Sequence, residues 1–216
     1  MTESTAKLWT WVLAVAAILL AALGFARWDQ PVLEAVRAGA GEAWVGTARF
    51  FSRYGDFPFL LVAGVVALAI SLRFRAADWS RIFTAMILAG ILAGLVSNAT
   101  KLATGRVRPG VEHTGHGWYG PKHEDRWVSL RHDFQSFPSS HAACSFGFFF
   151  PLFLSRRVIG TAGILVAAAI AWSRVQLNAH HISDIATGAF LGMVAGWLVW
   201  RWIVRRGGLS RWLGPA

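Results

Sequence analysis

The sequence predicts an all-α fold in which one domain, residues 1–216, forms a bundle of six transmembrane helices. The chain is 55% hydrophobic and only 15% charged, and its mean hydropathy is positive, which is too apolar for a soluble domain of this size. Some of its apolar runs reach the ~20 residues that a spanning helix needs. There are six apolar runs in all, near residues 8–26, 57–72, 83–100, 142–154, 158–172 and 185–204.

The first run has two interpretations, because a cleavable signal peptide is apolar as well. Residues 8–26 are long for a signal peptide, and no clear small-x-small cleavage site precedes Arg27. We therefore expect this run to stay as a membrane helix. Residues 30–54 follow with amphipathic stretches and scattered charges, which predicts an interfacial helix on the outer surface between the first two spans. A simple connecting helix is the alternative.

The later runs raise questions of packing. The fourth and fifth runs are short, so core helices of a soluble protein or one re-entrant hairpin are alternatives. The first, third and sixth runs argue against the soluble alternative. The third and sixth runs carry glycines at every fourth position, which lets a neighbouring helix approach closely. We expect packing within the chain, with a homo-oligomer through these small-residue faces as the alternative. The glycines are Gly90 and Gly94 in the third run and Gly188, Gly192 and Gly196 in the sixth.

Charge and cysteine usage exclude other classes of protein. The formal net charge is +10, but the arginines flank apolar runs and form no basic stripe with exposed aromatic residues, so membrane topology explains the charge better than nucleic-acid binding. The single cysteine, Cys144, lies in an apolar run and cannot form an intrachain disulfide. Core packing is its expected role.

The positive-inside rule predicts the orientation. With six spans both termini share one side with the short basic loops at Arg73–Arg81 and at Arg156 and Arg157, and such loops lie in the cytoplasm. The loop of residues 102–137 and the turn of residues 173–183 then face outward. Both sides hold arginines, so loop length decides the orientation, because short loops count most.

Three polar stretches would share that outer side, and each also has a purely structural explanation. Lys101 and Arg108 end the third run, where such cations often reach lipid headgroups, and Pro109 stops the helix. In the second stretch, Pro138 suits the first turn of a helix. The amides of Ser139, Ser140 and His141 near that helix start would attract an anion, although a serine pair is also an ordinary cap.

The third stretch is the most informative. His180 and Asp184 are four residues apart and would share a helical face, so that the carboxylate accepts a hydrogen bond from one ring nitrogen and the other nitrogen is left to attack. An ionisable residue at the border of a long apolar run is also a functional candidate, with a simple helix cap as the alternative. His181 lies three residues before Asp184, and spacing alone does not choose between the two histidines.

The loop histidines are weaker candidates. Four of them lie near Glu124 and Asp125, where irregular spacing makes a metal site less expected than a solvent-exposed polar loop. We therefore expect no metal and no other cofactor. These histidines are His113, His116, His123 and His132.

In order along the chain, these residues resemble the signature of the type 2 phosphatidic acid phosphatase family. That signature is lysine, six residues, Arg-Pro; then Pro-Ser-Gly-His; then Ser-Arg, five residues, His, three residues, Asp. Its spacing selects His180 over His181, and Ser140 stands where the family usually has glycine. The matching residues are Lys101, Arg108, Pro109, Pro138, Ser139, His141, Ser173, Arg174, His180 and Asp184.

The resemblance implies a metal-independent hydrolase of lipid phosphates in the bacterial cytoplasmic (inner) membrane, with its active site facing outward. His180 would attack phosphorus to form a phosphohistidine, His141 would protonate the leaving oxygen, and Asp184 would orient His180. Phosphate would bind to Lys101, Arg108, Ser139, Ser140 and Arg174, with the first-turn amides helping. Candidate substrates are phosphatidylglycerol phosphate, polyprenyl diphosphate, lipid A and phosphatidic acid.

Other functions remain as alternatives. A lipid phosphotransferase with a polyprenyl diphosphate donor would use the same residues. A non-enzymatic lipid-binding or transport protein is less expected, since every reactive position is present. Vanadium-dependent haloperoxidases share the family's site, but those enzymes resemble soluble proteins.

Overall fold

The computed structural model describes residues 27–39, 41–111 and 117–205. This part of the chain is helical, with isolated bridges in place of strands, so the predicted all-α class is confirmed for it. Two short 3-10 helices, Val128–Leu130 and His132–Phe134, lie in the long loop before residue 140. The α-helices are α1 (Asp29–Ala38), α2 (Glu42–Tyr54), α3 (Phe57–Arg73), α4 (Ala77–Thr104), α5 (Ser140–Ser155), α6 (Arg157–Gln176) and α7 (Ile182–Arg205).

The membrane-spanning character of these helices differs. Over the described residues, α4, α6 and α7 are long and apolar enough to cross a membrane, and α2 with α3 makes a fourth candidate if this pair, bent by 56°, is one span. Helix α5 is apolar but shorter. The second to sixth predicted runs each fall on a helix, α3 to α7. Residues 8–26 lie outside the described ranges, so the count of six spans stays a prediction.

The segment predicted to be interfacial contains two helices, α1 and α2. Helix α2 continues into α3 through a short corner at Gly55 and Asp56. There the Asp56 carboxylate accepts a hydrogen bond from the Phe57 amide at 2.9 Å and so caps α3. An interfacial position for α1 and α2 stays a prediction.

Helix α5 is the centre of the bundle and packs against α4, α6 and α7. Glycines of α7 permit this contact, because a Cβ at Gly192 would lie 2.4 Å from the Ala143 carbonyl oxygen and one at Gly188 would lie 2.5 Å from that of Ser139. The predicted small-residue faces are therefore used within the chain. Whether the protein also forms a homo-oligomer stays a prediction, and such an interface would use other surfaces.

The same close packing involves α3, α4 and the cysteine. A Cβ at Gly90 would lie 2.5 Å from the Phe57 ring, and one at Gly94 would lie 2.9 Å from the sulfur of Cys144. Cys144 is buried, which agrees with the predicted packing role. Many large apolar side chains stay exposed on the outside of the bundle, including Val66 on α3, Leu95 on α4 and Leu165 on α6, as expected where helices contact lipid.

The loop between α4 and α5 begins at a left-handed glycine. Gly105 ends α4 with φ of 55°, and a Cβ there would lie 1.9 Å from the Gly120 carbonyl oxygen, so only glycine fits. The loop then returns over itself, because the Tyr119 amide donates to the Gly105 carbonyl at 3.1 Å. A small core of Val107, Val128 and Phe134 holds it together.

Candidate active site

Backbone hydrogen bonds bring the three polar stretches together at one end of the bundle. The Ser139 amide, at the start of α5, donates to the Asp184 carbonyl at the start of α7 (3.0 Å). The Ser97 hydroxyl on α4 donates to the Pro138 carbonyl at 3.3 Å, and Arg108 of the first stretch donates from Nη1 to the Ala179 carbonyl of the third stretch at 3.1 Å. The stretches predicted to form one site are therefore neighbours in the fold.

Arg108 is buried and holds the backbone of two loops. Its Nε, Nη1 and Nη2 donate to the carbonyls of His132 (3.0 Å), Ala179 (3.1 Å) and Gln135 (3.3 Å). A guanidinium has five N–H donors, so two N–H groups are left for a ligand. Burial and the neighbouring Arg174 cation lower the pKa of Arg108 to about 10, which leaves it charged at neutral pH.

Arg174, in the last turn of α6, has a donor that the fold does not satisfy. Its Nη1 donates to the hydroxyl of Ser52 on α2. Its Nε is buried and, among the described residues, has no hydrogen-bond partner. Lys101, in the last turn of α4, is buried close to the same cations. An anion between these side chains would satisfy the free Nε and offset the clustered positive charge.

His180 is almost completely buried, at 1% exposure, and its Nδ1 lies 2.7 Å from the Ser136 carbonyl oxygen. A carbonyl can only accept, so Nδ1 carries the hydrogen and Nε2 carries the lone pair. Burial, which outweighs the opposite effect of Asp184, lowers the pKa of His180 to about 3. The ring is therefore neutral at physiological pH, as a nucleophile must be.

This orientation differs from the predicted one, in which Asp184 holds His180 directly. Asp184 Oδ2 lies 3.7 Å from His180 Nδ1, too far for a hydrogen bond. The same oxygen accepts from the His181 amide at 2.8 Å and lies 3.2 Å from His181 Nδ1. The Ser136 carbonyl oxygen, at 2.7 Å, is therefore the hydrogen-bond partner of His180 Nδ1. Contact with Asp184 does not by itself choose the nucleophile.

His141 lies in the first turn of α5 and faces the corner between α2 and α3. Its Nε2 lies 3.3 Å from the Ser52 carbonyl oxygen and 3.5 Å from Asp56 Oδ1. Both atoms are acceptors, so Nε2 carries a hydrogen here. Ser52 thus contacts both Arg174 and His141. Sequence reasoning missed Ser52 and Asp56, because nothing in residues 30–56 resembles a motif.

The two serines of the second stretch are placed differently from the prediction. Helix α5 begins at Ser140, with Ser139 as its N-cap and Pro138 before it. The Ser139 amide is occupied by the Asp184 carbonyl, so it is not available to an anion as predicted. The Ser140 hydroxyl donates to Asn98 Oδ1 at 3.1 Å and lies 3.0 Å from the Ser97 hydroxyl, so it is directed at α4.

Two further buried ions, Asp29 and Arg106, lie against Asp184, and sequence reasoning did not assign them a role. Arg106 Nη1 donates to Asp184 Oδ1 at 2.5 Å, and its Nη2 donates to Asp29 Oδ2 at 2.6 Å. Arg106 is the first cation after Lys101 in the first stretch and lies two residues before Arg108, and this repeated arginine was the available signal. Asp29 had a weaker signal, as a carboxylate that closely follows the first apolar run.

The loop histidines form no metal site in the described part of the chain, where no group of three or more His, Cys, Asp or Glu side chains is placed to hold an ion. His113 and His116 lie outside the described residues. His132 offers its carbonyl to Arg108, whose charge lowers the pKa of the His132 ring. His123 lies beside the ring of Tyr119, with the centroids 4.7 Å apart.

Comparison with known proteins gives one family and two solved folds. A model of the PAP2 superfamily matches residues 79–207, which is more than half of the chain. LpxE of Aquifex aeolicus is 18% identical with a TM-score of 0.60, over 79% of this chain and 93% of that one. A PAP2-type phosphatidylglycerolphosphate phosphatase of Bacillus subtilis is 17% identical with a TM-score of 0.61, over 90% and 96%. At these identities the likeness concerns the fold. No curated protein sequence matches the chain.

Proposed function

The chain belongs to the PAP2 superfamily, the type 2 phosphatidic acid phosphatase family that its motifs resemble, and on this premise we propose that it removes a terminal phosphate from a membrane lipid. One observation carries the proposal. Three cations, Lys101, Arg108 and Arg174, lie at the end of the bundle where a neutral histidine is held in one tautomer. A phosphoryl group needs these two components, charge stabilisation and a nucleophile, without a metal.

In the first chemical step, the lone pair on His180 Nε2 attacks phosphorus. The P–N bond forms as the P–O bond to the lipid breaks, and the electron pair leaves with the lipid oxygen. Protonated His141 gives its Nε2 hydrogen to that oxygen. The positive charge that develops on the His180 ring is stabilised by the Ser136 carbonyl and by Asp184.

In the second step, water attacks the phosphohistidine. His141, now neutral, takes a proton from the water as its oxygen bonds to phosphorus, the P–N bond breaks, and phosphate leaves with His180 neutral again. Lys101, Arg108 and Arg174 stabilise the equatorial oxygens in both steps. Each cation contributes roughly 2.7–4 kcal/mol if losses measured at oxyanion holes transfer to this site.

The lipid nature of the substrate follows from where the site lies. Its residues come from the ends of α4, α6 and α7, which are membrane-spanning candidates, so a phosphate in this site belongs to a headgroup at the membrane surface. One of the two similar folds is named as a PAP2-type phosphatidylglycerolphosphate phosphatase. We include phosphatidylglycerol phosphate, polyprenyl diphosphate, lipid A and phosphatidic acid as candidates.

A phosphate-release assay on purified protein in detergent, with each of these lipids, tests the function. His180→Ala should abolish release, whereas His181→Ala should keep most of it. After the reaction is quenched, labelled phosphate that stays on the wild-type protein in base but is released in acid would identify the phosphohistidine. The reverse pattern in the two variants would make His181 the nucleophile. Transfer of phosphate to a second lipid, without release, would favour a phosphotransferase, and no turnover of any lipid would favour a binding or transport protein.

We also propose six spans, with the site facing outward from the bacterial inner membrane. The support is the basic character of the loops at the opposite end, at Arg73–Arg81 and at Arg156. In intact cells, a cysteine at Gly120 should react with an impermeant thiol reagent, and one at Arg156 should not. The native Cys144 is buried, so the unmodified protein is the blank. Equal labelling at both positions would refute the orientation.

A further inference from the structure

We propose that Asp29 and Arg106 are positioning residues for the active-site carboxylate Asp184 and set the charge that it presents to the histidines. This inference rests on the proposed function. It concerns two side chains that are not among the residues described above as reactive or phosphate-binding. Asp29 is the first residue of α1, and Arg106 lies in the loop after α4.

The first support is the division of labour between the two oxygens of Asp184. Oδ1 accepts from Arg106 Nη1 at 2.5 Å. Oδ2 faces the other way, where it accepts from the Ser136 hydroxyl at 2.6 Å and from the His181 amide at 2.8 Å. Arg106 therefore fixes the rotation of the carboxylate. Since Ser136 also holds His180 through its carbonyl at 2.7 Å, that rotation and the His180 ring are part of one hydrogen-bonded unit.

The second support is that Arg106 is shared between two carboxylates. Its Nη2 donates to Asp29 Oδ2 at 2.6 Å, and its Nη1 also donates to the Ser183 hydroxyl at 2.7 Å. The Ser183 amide and hydroxyl donate to Asp29 at 2.9 and 2.7 Å. Asp29 therefore binds both Arg106 and Ser183, the residue next to Asp184. The side chains of these four residues are all buried.

The balance of charge gives this arrangement a catalytic meaning. Two carboxylates share one guanidinium, so the buried cluster keeps one negative charge beside the histidines. If Asp29 were absent, the Arg106 cation would neutralise Asp184 alone, and Asp184 would stabilise a developing imidazolium less. If Arg106 were absent, Asp184 would present more negative charge, but its Oδ1 would lose the Arg106 hydrogen bond that helps to fix the carboxylate. Loss of Asp29 and loss of Arg106 therefore change the charge beside the histidines in opposite directions, but both should lower kcat.

Other charged groups also act on these histidines. Asp184 faces His180 and His181 from the first turn of α7, and the positive charges of Lys101 on α4 and Arg108 after it act on His180. The further cation in this region is Arg174 on α6, beside Arg108. Because these groups stay in place in both variants, differences between the variants come from Asp29 and Arg106.

The test is kcat and KM against pH for Asp29→Asn, Arg106→Gln and Arg106→Lys, with a lipid phosphate that the wild type hydrolyses. We expect kcat to fall about tenfold or more in each, with KM within about twofold, because the substrate contacts are intact. The acid limb of kcat should move to lower pH in Asp29→Asn, which loses a negative charge, and to higher pH in Arg106→Gln, which loses a positive one.

Arg37→Gln is the matched control. Arg37 also ties α1 to the site loops, through Asn178 Oδ1 at 3.1 Å and the Pro109 carbonyl at 3.0 Å, but it does not contact Asp184. It should leave the acid limb in place. If Arg106→Gln fails to fold, Arg106→Lys keeps the test open, since one ammonium cannot span both carboxylates as a fork does and kcat should still fall.

The outcomes separate two failures. A wild-type protein that releases no phosphate from any lipid would overturn the proposed function and this inference with it. An active wild type in which Asp29→Asn and Arg106→Gln move the acid limb in the same direction, or lose stability with kcat per folded molecule unchanged, would overturn this inference alone.

Discussion

Replacement of Arg174 by glutamine should lower kcat strongly but change the free energy of unfolding little. The buried Nε of Arg174 has no partner in the described part of the chain, and such an unmet donor costs about 1–3 kcal/mol. The hydrogen bond from Nη1 to Ser52 contributes roughly 1.5–3 kcal/mol, as a bond to a charged group. The two effects nearly cancel, so Arg174→Gln should change the free energy of unfolding by no more than about 2 kcal/mol.

The rate should respond far more strongly. A phosphoryl oxygen bound to Nε would lose one charged donor in the transition state, which costs about 2.7–4 kcal/mol, or 10²–10³ in kcat. Inorganic phosphate at about 100 times its Kd should raise the Tm of the wild type by ~5–10 °C, from about 2.7 kcal/mol of binding energy. The variant should lose most of that rise.

The assay is phosphate release together with thermal denaturation of the same purified samples. Arg157→Gln, at the opposite end of α6, removes a charge of the same kind away from the site and should change neither measurement appreciably. The reasoning fails if Arg174→Gln lowers Tm by more than about 10 °C while kcat per folded molecule is kept. Arg174 would then be a structural residue.

Three further predictions concern the acid, the nucleophile and the packing. His141→Ala should lower kcat by about 10²–10⁴ for an alkyl phosphate but much less for an aryl phosphate, whose leaving group needs no protonation; equal losses would argue against general acid catalysis. His180 is neutral in the fold down to about pH 3 but titrates near pH 6.5 when exposed, so the unfolded chain binds more protons between these two pH values. Tm should therefore fall as the pH drops from about 6.5. The fall should be less steep in His180→Asn. Gly192→Ala places a methyl group 2.4 Å from the Ala143 carbonyl and should cost about 1–3 kcal/mol in thermal unfolding, whereas Gly46→Ala, which meets nothing within 4 Å, should not.

The sequence was sufficient to predict which segments meet. Lys101, Arg108, Arg174 and His180 follow fixed spacings at the ends of apolar runs, and these helix ends lie on one side of the bundle. The five apolar runs within the described residues all correspond to helices. Hydropathy and spacing are local properties, which explains this success.

Contacts across long distances in sequence could not be predicted in the same way. The placement of Asp184 and His180 depends on Asp29, which lies 154 residues before Ser183. It also depends on Ser136, whose hydroxyl binds Asp184 and whose carbonyl binds His180, and neither contact has a sequence signature. The Ser140 hydroxyl could equally have faced a ligand. Its partners on α4, Ser97 and Asn98, became evident only once the packing of α4 against α5 was known.

The backbone contacts of Arg108 divide the loop between α4 and α5 into two parts with different freedom to evolve. The segment that supplies carbonyls to Arg108, residues 132–135, cannot change length without moving Arg108. Residues 121–127 supply none of these carbonyls, so their length is not tied to Arg108. Exchange of that second segment between relatives should therefore leave the position of Arg108 unchanged.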